Sequence, residues 1–165
     1  PTLFTKIING EIPARFAYRD DLCVVFMSIN PITTGHALVV PVQEIDQWTD
    51  LPEDLSKHLF LIAANIGNAQ KRAFGCERAG LIVAGFEVDH CHIHVIPTNS
   101  IDDLSFANAA AHVEVQKLQD ACDKIKGELI PRKEKEFLIF SGNKFDERSI
   151  VISGIIHRFT YWMNL

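Results

Sequence analysis

Residues 90–97 read HCHIHVIP, so His90, His92 and His94 fall at every second position, with Cys91, Ile93 and Val95 between them. In a β-strand alternate residues share a face and lie about 6.6–7 Å apart. The spacing therefore predicts a strand with three imidazoles on one face and an apolar row, to be buried, on the other. Three readings fit such a row. It is a solvated strand face. Or it holds zinc through three histidines and a water, because His-x-His is a metal-ligand spacing. Or it acts on a phosphate. A neutral imidazole attacks phosphorus and carries the phosphoryl group, while flanking imidazoles fix its tautomer and donate to the phosphate oxygens. Glu87 and Asp89 are the nearby acidic groups that would support a metal, and Cys91 points to the opposite face.

The elements that must position this row are legible on both sides of it. RFAYRD and LCVVFMSI are rich in β-branched and aromatic residues and predict a hairpin. NPITTG, from Asn30 to Gly35, is a turn-forming stretch, and HALVVPV predicts a strand from His36 to about Pro41. Leu55, Leu59, Ile62, Ile66, Ala69 and Ala73 recur at three- and four-residue steps and predict an amphipathic helix from Pro52 to about Phe74. Pro52 and Glu53 suit its first turn and Gly75 its end. RAGLIVAG predicts a strand ending at Gly85, and HCHIHVIP another. A second helix is expected from about Val113 to Leu129. Residues 131–165 open with a charge run and turn apolar and aromatic. They are expected as a C-terminal extension packed on the 1–130 domain or on a partner subunit.

Composition narrows the function. The 165 residues suit one domain, and 47% apolar with 22% charged is an ordinary globular balance. A formal charge of −5 gives no general nucleic-acid footprint. No apolar run reaches the roughly 18 residues that span a bilayer, and PTLFTKIING lacks the basic-then-apolar pattern of a signal peptide. Cys23, Cys76, Cys91 and Cys122 are widely spaced. Free thiols in a reducing cytoplasm are the expectation, with no membrane partner.

HCHIHVI fits His-φ-His-φ-His-φ-φ, where φ is hydrophobic, and so resembles the signature of the histidine triad (HIT) nucleotide-binding and hydrolase family. FTKIINGEIPARFAYRDD, VVFMSINP and GHALVVP resemble the family's N-terminal blocks in the same order, so the likeness covers roughly residues 2–100. The resemblance implies an α+β, HIT-like fold: an antiparallel sheet of about five strands with two main helices. It implies that His92 is the nucleophile toward the α-phosphate of a nucleotide, flanked by His90 and His94, with His36 as a fourth histidine near that phosphate. It places Phe4, Ile7, Phe26 and Ile29 near the base, Ser28 near the ribose, and Gly85 and Phe86 in the loop before the triad.

The chain also departs from the pattern. Relatives that bind structural zinc carry an N-terminal Cys-x-x-Cys and a later histidine, and the matching positions here are Thr2, Thr5 and Glu44. The chain thus resembles actinobacterial-type members without those ligands. Hydroxyls and one carboxylate are a poor zinc set, so neither a metal nor any other cofactor is expected. Ser28 stands where relatives grip the ribose with an acidic or amide group, and Phe86 and Glu87 where they carry Gln or Ser. The implied function is a nucleotide hydrolase or transferase acting on a purine nucleotide conjugate through a nucleotidyl-histidine. Its substrate is a nucleoside phosphoramidate or a dinucleoside polyphosphate, and its state a cytoplasmic homodimer. The alternative is a nucleotide-binding sensor or scaffold with little turnover.

Overall fold

Five strands form one sheet in a computed structural model that describes residues 1–129. They are β1 (Phe16–Arg19), β2 (Cys23–Met27), β3 (Ala37–Pro41), β4 (Arg78–Ile82) and β5 (Ile93–Thr98), in spatial order β1-β2-β3-β5-β4. Every pairing is antiparallel. Three helices accompany the sheet: α1 (Leu3–Ile8), α2 (Glu53–Phe74) and α3 (Val115–Glu128). The extension expected over 131–165 lies outside the described residues.

The central strands are buried on both faces, so successive side chains feed two cores. Val25, Met27, Val39, Ile93 and Val95 join Leu59, Ile62 and Ile66 of α2 and Cys122 and Ile125 of α3. Val24, Phe26, Leu38 and Val40 pack instead with Phe4, Ile7 and Ile8 of α1. Each large side chain sealed in this way contributes about 1.5–3 kcal/mol. Helix α2 keeps its expected ends. Pro52 precedes it, Glu53 and Asp54 occupy the positive end of its dipole, and Gly75 closes it at φ 63°.

The expected histidine strand is shorter than its sequence pattern. Strands β3 and β5 pair Ala37 with Val95, Leu38 with His94 and Val39 with Ile93. Continuing that register sets Cys91 opposite Pro41, which has no N–H to give. That pairing would leave the Cys91 carbonyl without a donor; the Cys91 N–H donates to the Ile45 carbonyl at 2.6 Å, and the strand begins at Ile93. His94 is thus the strand member of the row, while His90 and His92 occupy irregular backbone before it. Strand β4 likewise stops at Ile82, short of Gly85.

Asp20 fastens the first hairpin to α2. Its Oδ1 accepts the Leu22 and Cys23 N–H groups, each at 2.8 Å, and its Oδ2 accepts from Tyr18 Oη and His58 Nε2, each at 2.7 Å. Burial pushes this carboxyl up, but the bonds from Tyr18, Cys23, Leu22 and His58 outweigh it and hold it at about 2. Asp20, Cys23 and His58 bring their donor atoms within 4.8 Å of one another, a grouping that metal sites share. Four donors already fill the acceptor sites of the carboxylate. Burial, with the Asp20 charge, pushes the Cys23 thiol up to about 12. The cluster is a structural latch.

Candidate active site

His90, His92, His94 and His36 are all buried, at 0%, 5%, 8% and 1% exposure. Buried polar groups need partners, and the partners assign each ring's tautomer. The Ile32 N–H donates to His36 Nδ1 at 3.1 Å, so neutral His36 carries its proton on Nε2. That Nε2 lies 2.9 Å from His94 Nδ1 and donates to it, which leaves the His94 proton on Nε2. His92 donates through Nδ1 to the His90 carbonyl at 2.7 Å, so its Nε2 is bare. The His92 and His94 ring centroids are 4.9 Å apart. A bare nitrogen and a donor N–H therefore sit on neighbouring rings.

Burial disfavours the charged form of His36, His92 and His94. It lowers His36 to about 4, and it lowers His94 to about 3 with help from the adjoining His92 and His36. His92 is also lowered, by burial first, with its bond to the His90 carbonyl opposing. A lowered imidazole stays unprotonated further into acid. If the bare nitrogen of His92 is the reacting group, the acid limb of the rate has its midpoint below the ordinary 6.5. A profile of kcat against pH measures this, and a midpoint above 6.5 contradicts a buried neutral nucleophile.

The other end of the row is held by α1. His90 donates through Nε2 to the Pro41 carbonyl at 2.9 Å, and the Thr2 hydroxyl, 2.8 Å from His90 Nδ1, donates to that nitrogen. Thr2 is also the N-cap of α1, accepting the Thr5 N–H at 3.2 Å. The Thr5 hydroxyl donates to Glu44, which also accepts the Thr2 N–H at 3.0 Å. The bonds from Thr5 and Thr2 hold the Glu44 carboxyl below its usual range. The family resemblance in the sequence implies zinc-ligand positions at Thr2, Thr5 and Glu44. Here they satisfy one another, and both nitrogens of His90 are engaged. Two hydroxyls and one carboxylate so committed do not fit structural zinc. A chelator is expected to leave both the melting temperature and turnover unchanged, and elemental analysis to find no stoichiometric zinc. A chelator-sensitive melting temperature contradicts this.

The other expected site residues separate into two groups. Phe4 is buried with its ring edge-on to His92 at 5.0 Å and to Phe26 at 5.4 Å, and Ile7 shares that core. Of these three, Phe4 contacts the histidine row directly, at His90 and His92. Ile29 and Phe86 are 71% and 96% exposed, and Gly85, next to Phe86, bends the loop between β4 and β5 at φ 87°. Ser28 sits in the turn after β2, where its Oγ accepts the Asn30 N–H at 3.3 Å. Two neighbours of the site escaped the sequence reading. Phe106, in a short 3-10 turn after β5, stacks edge-on to His94 at 5.1 Å. Gln70 of α2 is fully buried near the start of β3.

The match to the HIT domain spans residues 9–101, more than half of the chain. The chain belongs to the HIT domain family. An uncharacterized HIT-like protein of Borreliella burgdorferi is 33% identical over 126 residues, which cover 72% of this chain and 91% of that one. Adenylylsulfatase HINT3 of Arabidopsis thaliana is 33% identical over 107 residues, 62% of this chain and 54% of that protein. Among solved structures, the Hit-like protein involved in cell-cycle regulation from Bartonella henselae superposes with a TM-score of 0.69 at 26% identity, covering 78% of this chain and 96% of that one. This HIT protein has, among its described residues, no helix long and apolar enough to cross a membrane.

Proposed function

We propose that this HIT protein is a nucleotide hydrolase or transferase acting at the α-phosphate of a purine nucleotide conjugate, through a nucleotidyl-His92 intermediate. The observation that carries the reading is the bond from His92 Nδ1 to the His90 carbonyl, which bares Nε2 in a buried neutral ring. In the first step the Nε2 lone pair forms a bond to phosphorus as the bond from phosphorus to the leaving group breaks. The leaving group departs with that electron pair and is protonated by solvent. His94 Nε2–H donates to a phosphate oxygen as charge builds there. His92, now cationic, keeps its Nδ1–H on the His90 carbonyl. Water then attacks phosphorus, the N–P bond breaks, its pair returns to Nε2, and the water proton passes to solvent.

The name of the adenylylsulfatase relative favours adenylyl conjugates among the substrates. Phosphoramidates and dinucleoside polyphosphates are the two types to try first. The formal charge of −5 and four buried free cysteines support a cytoplasmic protein with no nucleic-acid partner. A homodimer completes the reading. A second reading, a nucleotide sensor with little turnover, rests on the departures at Ser28, Phe86 and Glu87, where the resemblance implies longer or different polar groups. Single-turnover trapping separates the two. The enzyme reading expects an intact-mass gain of one nucleotidyl group that maps to His92. Turnover with no such adduct at any time point overturns the covalent route, and tight binding without turnover supports the sensor.

A further inference from the structure

Gln70 is out of character with its surroundings. Helix α2 buries Leu55, Leu59, Ile62, Ala63, Ile66 and Ala69 on its inner face, and Gln70 follows on that face with no exposure at all. Its Nε2 donates twice, to the Gly35 carbonyl at 2.9 Å and to the Val95 carbonyl at 2.8 Å. Its Oε1 has no hydrogen-bond partner among the described residues. A buried acceptor left unmade is costly, and its presence calls for an explanation.

The two carbonyls supply one. Gly35 immediately precedes His36, and Val95 immediately follows His94. In the register of β3 and β5, Gly35 falls opposite Pro97, which has no N–H. The ladder cannot close at that end, yet this is where His36 Nε2 must stay 2.9 Å from His94 Nδ1. Gln70 reaches in from α2 and supplies the missing donor, with one amide nitrogen on both strands. Gly35 itself admits no substitute that would move this carbonyl elsewhere. Its φ is 94°, and a Cβ there would clash with the Phe74 ring.

We propose that Gln70 is a positioning residue for the proposed reaction: its side-chain amide holds the His36–His94 pair in the geometry that keeps a donor proton on His94 Nε2. The inference rests on the nucleotidyl-transfer reading for its kinetic consequence, but the hydrogen-bond geometry it concerns is observable without any substrate.

The test uses the full chain, isotopically labelled. In the wild type, the Gln70 side-chain nitrogen is expected to couple through hydrogen bonds to the Gly35 and Val95 carbonyl carbons. Long-range 1H–15N spectra are expected to show His36 and His94 each as a single Nε2–H tautomer. Gln70→Met matches the side chain in length and removes the donor. It is expected to lower kcat by about tenfold or more, the scale of a small misplacement in a site, with KM little changed. The His94 ring should then show mixed tautomers. Gln70→Asn, a smaller change that reaches one carbonyl at most, should fall between. A folded Gln70→Met or Gln70→Asn with wild-type kcat and unchanged ring spectra overturns the proposal, as does a loss of melting temperature with kcat intact. Absent couplings in the wild type overturn it without any variant. If the wild type turns over no nucleotide conjugate, the proposed function has failed, and the ring spectra alone decide the role of Gln70.

Discussion

His92→Asn is expected to reduce turnover by at least about 10³-fold, the scale on which removing an attacking group acts, while nucleotide binding survives. The substitution is chosen for its geometry. An asparagine amide can still donate to the His90 carbonyl, as His92 Nδ1 does at 2.7 Å, so the local backbone keeps its partner. What disappears is the bare Nε2, and with it the covalent route. Steady-state kinetics and equilibrium binding on the same preparation provide the check. Retained turnover in His92→Asn removes His92 from the mechanism.

The second large effect is expected at His36, where two substitutions separate donation from bulk. His36 receives the Ile32 N–H and passes an Nε2–H to His94. His36→Leu fills the space but leaves His94 Nδ1 buried without its donor. Nothing then fixes the His94 tautomer, and the Nε2–H that the proposed reaction uses is present only part of the time. A fall in kcat of about 10²-fold is expected, the lower range for a positioned proton donor. His36→Gln keeps an N–H near the same place and should recover most of that loss. Equal loss in both variants indicates that His36 matters for packing alone.

Much of the scaffold could be read in advance because its signals are local and repeated. The α2 stripe from Leu55 to Ala73, with Pro52 before it and Gly75 after it, marks both ends of the longest helix. The β1–β2 hairpin is marked by β-branched runs on either side of Asp20 and Asp21. Helix α1 gives no comparable signal, because six residues span fewer than two turns and periodicity needs more. The histidine row misled in one respect. Alternation predicts a strand through His90, but whether a strand pairs depends on its neighbour, and Pro41 lies far from His90 in the chain. Burial of all four histidines was equally invisible, since it follows from α1 and β3 closing over them. Gln70 stands four residues after Ile66 and seven after Ala63, so its place on the buried face could have been noticed. Its two carbonyl partners could not, because they belong to strands that meet only in the fold.

The row of histidines is serviced from its two ends by networks with no residue in common. Glu44, Thr5, Thr2 and Pro41 hold His90, whereas Ile32 and Gln70 secure His36 and, through it, His94. Contacts to His92 join the halves: its bond to the His90 carbonyl and its ring against that of His94. Such a division loosens the inheritance of the site. Groups that do not touch tend to contribute independently, so drift at one end needs no matching change at the other. The anchoring chemistry around Thr2, Thr5 and Glu44, itself one coupled network, is then free to change as a unit while the His36–His94 pair keeps its geometry. For the protein engineer, the same seam marks where a new anchor can be grafted without redesigning the chemistry beside it.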